Sequence, residues 1–491
     1  MKFSVDSSFQ NKNLLVTGTT GFVGKALLEK LLRDVPGVQR IYILVRPSQE
    51  GQTAQQRFEA EILSSSVFNE LRRHDPEGFA QLIANKIRVI SGEVTLPDFG
   101  LDAESFERLA YSIDAVINVA ASVEFRGELD KSLDINTLCL HHVGRLLEKA
   151  GHIPLVHVST CYVNGFHPGT IEESLGAPAR LPMQANHEGH FDVDRLIEDL
   201  QGKIAATRAH ERDPQALTRA LIDLGIQEAH KAGWNDTYTF TKWLGEQVAC
   251  AVTRQGSLAI VRPSIIESAF TDPVPGWIEG MKVGDAIIMA YAKGRTTIFP
   301  AKTQATIDIV PVDLVVNGII LACAEALSQP GQRRIYQVST STRNPIRLGE
   351  YIALCQSEML GNSAAYPGLI RRPLKNQFRT VSRRVFLAYL AAAHGLMKLA
   401  QFGSRLLGRN DFEAQSLALD TTRELATVFS FYTSPNYVFC NRKLMHLATQ
   451  VAEPERTRFA VDPRAIDWAH YVKRIHLPGL ERFAVKPLKN A

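Results

Sequence analysis

Thr17-Gly18-Thr19-Thr20-Gly21-Phe22-Val23-Gly24 follows a short apolar run, Asn13-Leu14-Leu15-Val16-Thr17, and leads into an amphipathic pattern from Phe22 to Arg33. The order is strand, glycine turn, helix. Gly18 permits the tight turn, Gly21 lets the backbone approach a pyrophosphate, and Gly24 allows the helix to pack closely on the strand. Thr20, Phe22 and Val23 belong to the same loop and share that expectation. The helix N-terminus then presents free N–H groups and the positive end of its dipole to phosphates. A glycine pattern alone is weak evidence, and its plain alternative is a structural tight turn. Its place after a strand and before a helix, within the first 25 residues, gives it weight.

Working outward, Ile41–Val45 is a second apolar run of the kind a buried parallel strand requires. Similar runs recur at Ile87–Ile90, Ala115–Val119, Leu155–Val158 and Leu258–Val261, with helical patterns between them. Strands alternating with helices predict an α/β fold with a Rossmann-type, doubly wound parallel sheet. The second strand ends Leu44-Val45-Arg46-Pro47. An acidic residue there would bind the ribose 2′-hydroxyl of NAD, whereas Arg46 suits the 2′-phosphate of NADP(H) through a charge-assisted contact. The alternative for Arg46 is a solvated surface arginine.

Two interruptions set the domain organisation. Residues 166–235 are polar, lack a clear strand, and read as a mostly helical insertion over the ligand edge of the sheet. Near residue 371 the strand–helix alternation stops. The expectation is a reductase unit over 1–370 and a C-terminal helical domain over 371–491. Residues 371–384 hold six basic residues and no acidic one, and 385–407 form an apolar, helical stretch. This reads either as a basic linker and a core helix or as a peripheral membrane-surface contact that gathers anionic ligands.

Composition narrows the class. The chain has 491 residues, 45 % hydrophobic and 22 % charged, enough for a large core in two or three units. A net charge of +4 gives no pull toward nucleic acid. The six cysteines form no CxxC pair, which argues against a zinc ribbon or a disulfide scaffold and fits a reducing cytoplasm. No metal site is expected. The N-terminus lacks the apolar run of a signal peptide, and no uninterrupted apolar stretch of about 18 residues predicts a membrane span.

Tyr238-Thr239-Phe240-Thr241-Lys242 places Tyr238 and Lys242 at i and i+4, on one face of a helix. Upstream, His157-Val158-Ser159-Thr160 ends an apolar strand. A YxxxK pair alone occurs often by chance; its weight comes from following the glycine loop and the strand-end hydroxyls. Together with the TGxxGxxG spacing, the set resembles the extended short-chain dehydrogenases/reductases. That resemblance implies Thr160, Tyr238 and Lys242 as the catalytic set, with Ser159 in reserve as the hydroxyl. A carbonyl that accepts hydride becomes an alkoxide and needs a proton, and a nearby ammonium lowers the tyrosine pKa toward the working range. The resemblance further implies that Lys242 holds the nicotinamide ribose and that Thr160 donates to the developing oxyanion. It also implies cofactor contacts at Asn118 and Ala120 on the fourth strand end, at Glu93 and Val94 flanking adenine, and at Pro263 and Ile265 by the carboxamide. Asn136 matches an asparagine on the fourth helix, and Tyr162 is expected to pack nearby.

The gap narrows the family further. Thr160 and Tyr238 are 78 residues apart, much more than in sugar-nucleotide epimerases of similar fold. The long insertion, Trp234–Lys242, Val158–Gly165 and Val261–Ile266 resemble the fatty acyl-CoA reductases, and in length and wording the bacterial alcohol-forming members. Asn118 departs from the histidine often found there in eukaryotic members. The resemblance implies NADPH-dependent reduction of a long-chain fatty acyl-CoA through a hemithioacetal and a fatty aldehyde to the primary alcohol, with release of coenzyme A. The alternatives are a reductase of carrier-bound thioesters, a nucleotide-sugar epimerase or dehydratase, and an NADPH-sensing module. Intact Thr160, Tyr238 and Lys242 argue against mere sensing. Chain-length preference and homo-oligomeric state are not legible.

Overall fold

In the computed structural model, the described residues are 3–48, 50–292, 298–370, 374, 379–382, 384–392, 395–396, 432 and 437–485. Seven parallel strands form the central sheet: β1 (Lys12–Thr17), β2 (Val38–Val45), β3 (Ile87–Ser91), β4 (Ala115–Asn118), β5 (Leu155–Val158), β6 (Leu258–Pro263) and β7 (Arg333–Val338). Their order is β7-β6-β5-β4-β1-β2-β3. The sheet buries both faces, and the alternation of side chains along each strand divides them. Leu14 and Val16 enter one core while Leu15 enters the other; Ala115 and Ile117 oppose Val116 in the same way. Helices α1 (Phe22–Asp34) and α6 (Val312–Ser328) cover the first face. Helices α2 (Cys139–Lys149) and α5 (Thr237–Val252) cover the second.

β1 pairs with β2 on one side and β4 on the other, so the order reverses there. Helices leave in opposite directions from such a point, and a crevice opens at the carboxyl ends of the strands. The glycine loop occupies that crevice.

The insertion holds two helices, α3 (Asp194–His210) and α4 (Pro214–Ala232), as its polar, alanine-rich composition predicts. It also contains a short strand, Gly169–Ile171, which pairs in parallel with Tyr437–Phe439. A second short strand, Arg379–Val381, pairs with Ile298–Pro300. The C-terminal region is helical over most of its described length but is tied back by these two ladders. Most of 371–384 and 393–431 lies outside the described residues, including the greater part of the basic and apolar stretches singled out above. Among the described residues no helix is long and apolar enough to cross a membrane.

Candidate active site

The crevice holds a cavity of about 540 Å³ that runs from Arg46 past the glycine loop to Tyr238. Gly18, Thr20, Gly21, Phe22, Val23 and Gly24 line one end. Gly18 has φ +72°, and a Cβ there would stand 2.6 Å from the Ala120 nitrogen. A Cβ on Gly24 would meet the Gly18 carbonyl oxygen at 2.2 Å. Gly21 is the N-cap of α1 and offers no side-chain cap, so the first N–H groups of a 13-residue helix face the cavity without one. This backbone cradle fits a dinucleotide pyrophosphate.

At the outer end Arg46 is largely exposed and its Nη1 lies 3.0 Å from Glu93 Oε1. Val94 lines the wall beside them. Arg57 lines this end too; its Nη1 donates to the Arg46 carbonyl at 2.5 Å while Glu61 holds its other nitrogens. Two guanidiniums therefore stand near the end of β2, and no acidic residue occupies the strand-end position itself. Sequence reading missed Arg57, because an arginine twelve residues past a strand, in a short helix, carries no motif.

The inner end is built by α5. Asp236 caps the helix by accepting from the Thr239 N–H at 2.9 Å, which fixes the turn that carries Tyr238. Tyr238 and Lys242 face the cavity together with Ser159, Thr160, Pro263 and Ile265. Lys242 is almost wholly buried, and its Nζ donates to the Val158 carbonyl at 2.6 Å. Burial lowers its pKa to about 8, against the opposing pull of Cys139 and Glu246. Removal from bulk water pushes the Tyr238 phenol up, partly offset by a hydrogen bond with the Thr160 side chain. Thr160 Oγ1 also accepts from the Tyr162 N–H at 3.3 Å. Ser159 Oγ is buried without a hydrogen-bond partner. Of the two strand-end hydroxyls, Thr160 is the one that meets Tyr238.

Asn118 departs from the expectation of a cofactor contact. It is fully buried below the cavity rather than on its wall. In register beside Thr17, it accepts from Thr17 Oγ1 at 2.6 Å, and its Nδ2 lies 3.2 Å from His157 Nδ1. Thr17 Oγ1 in turn accepts from the Ala120 N–H at 3.3 Å. Asn118 thus fixes the strand end on which Ala120, a cavity residue, approaches the ligand space. Asn136 acts similarly. Its Nδ2 donates to the Ser122 carbonyl and to Thr241 Oγ1, both at 3.0 Å, tying the β4 loop to α5.

An aromatic roof closes the inner end. Phe125 meets Tyr238 edge-on at 5.8 Å and Tyr432 at 5.1 Å, and Tyr162 meets Tyr432 at 4.9 Å. The Tyr432 hydroxyl donates to Asp236 Oδ2. Phe125 and Tyr432 had no signal in the sequence. Val119, Ala121, Val123, Ile135 and Met281 add apolar surface to the cavity lining.

A dinucleotide cradle, a Thr–Tyr–Lys set and an apolar wall thus share one cavity. The family model described as "Male sterility protein" matches residues 16–319 in its NAD-binding form, and a second model of that description matches 397–487. Fatty acyl-CoA reductase 2, chloroplastic, from Arabidopsis thaliana is 31 % identical, over 98 % of this chain and 79 % of its own. The chain belongs to the fatty acyl-CoA reductase family. The alcohol-forming fatty acyl-CoA reductase of Simmondsia chinensis is 29 % identical over 97 % of this chain and 98 % of its own. Among solved structures, the terminal R domain of the myxalamid biosynthetic pathway aligns with a TM-score of 0.59 at 19 % identity, over 96 % of this chain and 90 % of that one. That likeness is one of fold. For this family member, the NAD(P)-binding unit is the N-terminal sheet with its glycine loop.

Proposed function

We propose that this chain reduces long-chain fatty acyl-CoA to the primary alcohol with NADPH, through the aldehyde, in the cavity described above. The observation that carries the reading is the meeting of Thr160, Tyr238 and Lys242 between the glycine cradle and an apolar wall. Gly18, Thr20, Gly21, Phe22, Val23 and Gly24 would hold the pyrophosphate. Arg46, with Arg57, would hold the 2′-phosphate, and Glu93 and Val94 would flank the adenine. Ala120, Pro263 and Ile265 would border the nicotinamide. NADPH, when bound, supplies hydride to the carbonyl carbon of the substrate.

The chain's own residues then manage the oxygen. Thr160 Oγ1 donates to the developing oxyanion. The raised phenol of Tyr238 is protonated at neutral pH and gives its proton to that oxygen. The Lys242 ammonium stabilises the resulting phenolate and holds the ribose hydroxyls. Tyr238 takes the hydroxyl proton back as the carbon–sulfur bond of the hemithioacetal breaks and the coenzyme A thiolate leaves. The aldehyde presents an oxygen at the same place, so one set of groups serves both reductions. Phe125, Val123 and Met281 would border the acyl chain.

The catalytic unit in this reading is 1–370 and the C-terminal domain 371–491, a division supported by the two family matches. The likeness to bacterial alcohol-forming members rests on length and motif wording alone. A cytoplasmic location is supported by six buried, unpaired cysteines. Peripheral membrane contact through 371–407 is checked by flotation with anionic liposomes; recovery wholly in the soluble fraction would count against it. The test of the reaction is purified protein with NADPH and palmitoyl-CoA, with products extracted. Alcohol formed with twice as much NADPH consumed as coenzyme A released supports the proposal. Aldehyde with equal amounts places the enzyme among two-electron reductases, and no oxidation of NADPH refutes an acyl-CoA substrate.

A further inference from the structure

Behind the cavity wall made by Ile265 and Ile266, three titratable side chains converge that the reduction does not use. Glu267, Asp285 and His476 are each fully buried. Glu267 ends the short strand Ile265–Glu267, Asp285 lies in the first turn of the helix Val283–Ala292, and His476 closes the helical stretch Tyr471–His476. One potential ligand atom from each lies within 4.8 Å of the others. Glu267 contacts the Asp285 carboxyl and the Gly284 backbone, and beyond that neither Glu267, Asp285 Oδ1 nor His476 Nε2 has a hydrogen-bond partner. Nε2 and Oδ1 are 3.2 Å apart, yet they are not aligned as donor and acceptor. Folded chains rarely leave buried polar groups under-satisfied, and three such side chains converging within 4.8 Å call for an occupant.

The remaining atoms of the cluster are already committed elsewhere. His476 Nδ1 lies 3.1 Å from Ser268 Oγ, which leaves Nε2 for the centre. Asp285 Oδ2 accepts from the Lys282 N–H at 2.8 Å. The Lys282 ammonium itself stands 3.8 Å from the centroid of the Phe22 ring. An imidazole held through its second nitrogen by a hydroxyl is the arrangement that orients metal-binding histidines. Ligands at about 2.0–2.2 Å from one ion stand about 3–3.5 Å from each other, the spacing found between Nε2 and Oδ1. Two carboxylates balance one divalent charge, the condition for burying both signs. A proton is the competing occupant, and burial beside Asp285 does push the Glu267 acid up. One proton bridges only the Glu267–Asp285 pair, whereas a cation engages one atom from each of the three side chains.

We propose that Glu267, Asp285 and His476 bind one divalent ion of the zinc–manganese class, apart from the reduction site, and that this ion fastens the C-terminal segment to the strand end behind the cavity. One imidazole with two carboxylates suits that class. The proposal departs from the sequence expectation that no metal is held. The three ligands are separated by long, unpatterned stretches, so no spacing rule finds them.

The test uses full-length protein dialysed against chelator, then titrated separately with Zn²⁺, Mn²⁺ and Co²⁺. Metal content is read by mass spectrometry, and Co²⁺ is followed by its visible absorption. The expected result is one Zn²⁺ per chain, a Co²⁺ spectrum that saturates at one equivalent and is displaced by Zn²⁺, and a raised Tm. Glu267→Gln and His476→Gln should each weaken binding by about a hundredfold or more, while Tyr238→Phe binds as the parent does. Folded parent protein that takes up no stoichiometric metal overturns the proposal. So does binding that both variants leave unchanged, since the ion would then sit elsewhere. The parent titration stands even where a variant fails to fold.

Discussion

Gly21 and Gly24 share one turn, yet an added methyl group should damage different properties at the two positions. At Gly24 a Cβ would stand 2.2 Å from the Gly18 oxygen and 2.8 Å from both the Gly18 carbonyl carbon and the Thr19 Cα. The shortfall from ordinary contact is about 1 Å, and every obstacle is backbone, so α1 must lift off the loop. Overpacking of this kind costs about 1–3 kcal/mol. At Gly21 the nearest atom, the Gly18 oxygen, is 3.3 Å away. The fold absorbs that by a few tenths of an ångström, and because Gly21 lines the cavity at the start of α1, the methyl group should crowd the proposed pyrophosphate position. Losing one charge-assisted hydrogen bond there costs about 1.5–3 kcal/mol, or roughly tenfold to a hundredfold in affinity. Thermal unfolding without ligand and NADPH titration by fluorescence separate the two effects. Gly24→Ala should lower the unfolding midpoint by several degrees. Gly21→Ala should keep it nearly unchanged and lose affinity. Parent-like NADPH binding by Gly21→Ala would refute the close approach on which the cradle rests.

Other substitutions test the inner end. Tyr238→Phe should retain NADPH binding and lose about a hundredfold or more in turnover; near-normal turnover would remove Tyr238 as proton donor. Lys242 carries its proton below its pKa of about 8 and loses it above. kcat/KM should therefore fall as pH rises through that value, and Lys242→Arg should move the fall out of the accessible range; a profile flat across it would exclude a role for the ammonium. Arg262 and Glu246 form a fully buried pair, with Nε and Nη2 donating at 2.8 and 2.6 Å. Arg262→Leu strands the carboxylate and should cost about 3–5 kcal/mol in chemical denaturation, and Arg262→Leu with Glu246→Leu should recover much of it.

What was legible in the sequence follows from burial. Strands covered on both faces need apolar runs, so β1 to β6 stand out, and Gly18 and Gly24 mark the loop because no side chain fits there. β7 did not stand out. It begins with two arginines, of which Arg333 is exposed, and only its last four residues are buried. The two short ladders were equally hidden, since Gly169–Ile171 finds its partner at Tyr437–Phe439, far along the chain. Asn118 stands at the end of β4, buried and bonded to Thr17, and not among the residues that line the cavity. A motif fixes position along a strand, and it does not say whether a side chain points into the crevice or beneath it. In register with Thr17, the amide is satisfied below the floor.

The roof exposes a different limit. Asp236 is buried, and burial pushes its carboxyl up, so it needs donors to remain an effective cap. It receives them from the Thr239 N–H, the Thr239 hydroxyl and the Tyr432 hydroxyl. The first two are local and can be anticipated from Asp-x-x-Thr at a helix start. The third comes from the C-terminal region, almost two hundred residues later. Through this one carboxylate, the turn that aims Tyr238 and the ring that closes over it are held together. The C-terminal region therefore reaches the cavity on the side of the Tyr238 helix, while the glycine cradle and Arg46 belong wholly to the N-terminal sheet. Changes at Tyr432 should accordingly act on the apolar, substrate-facing wall and leave the pyrophosphate cradle intact.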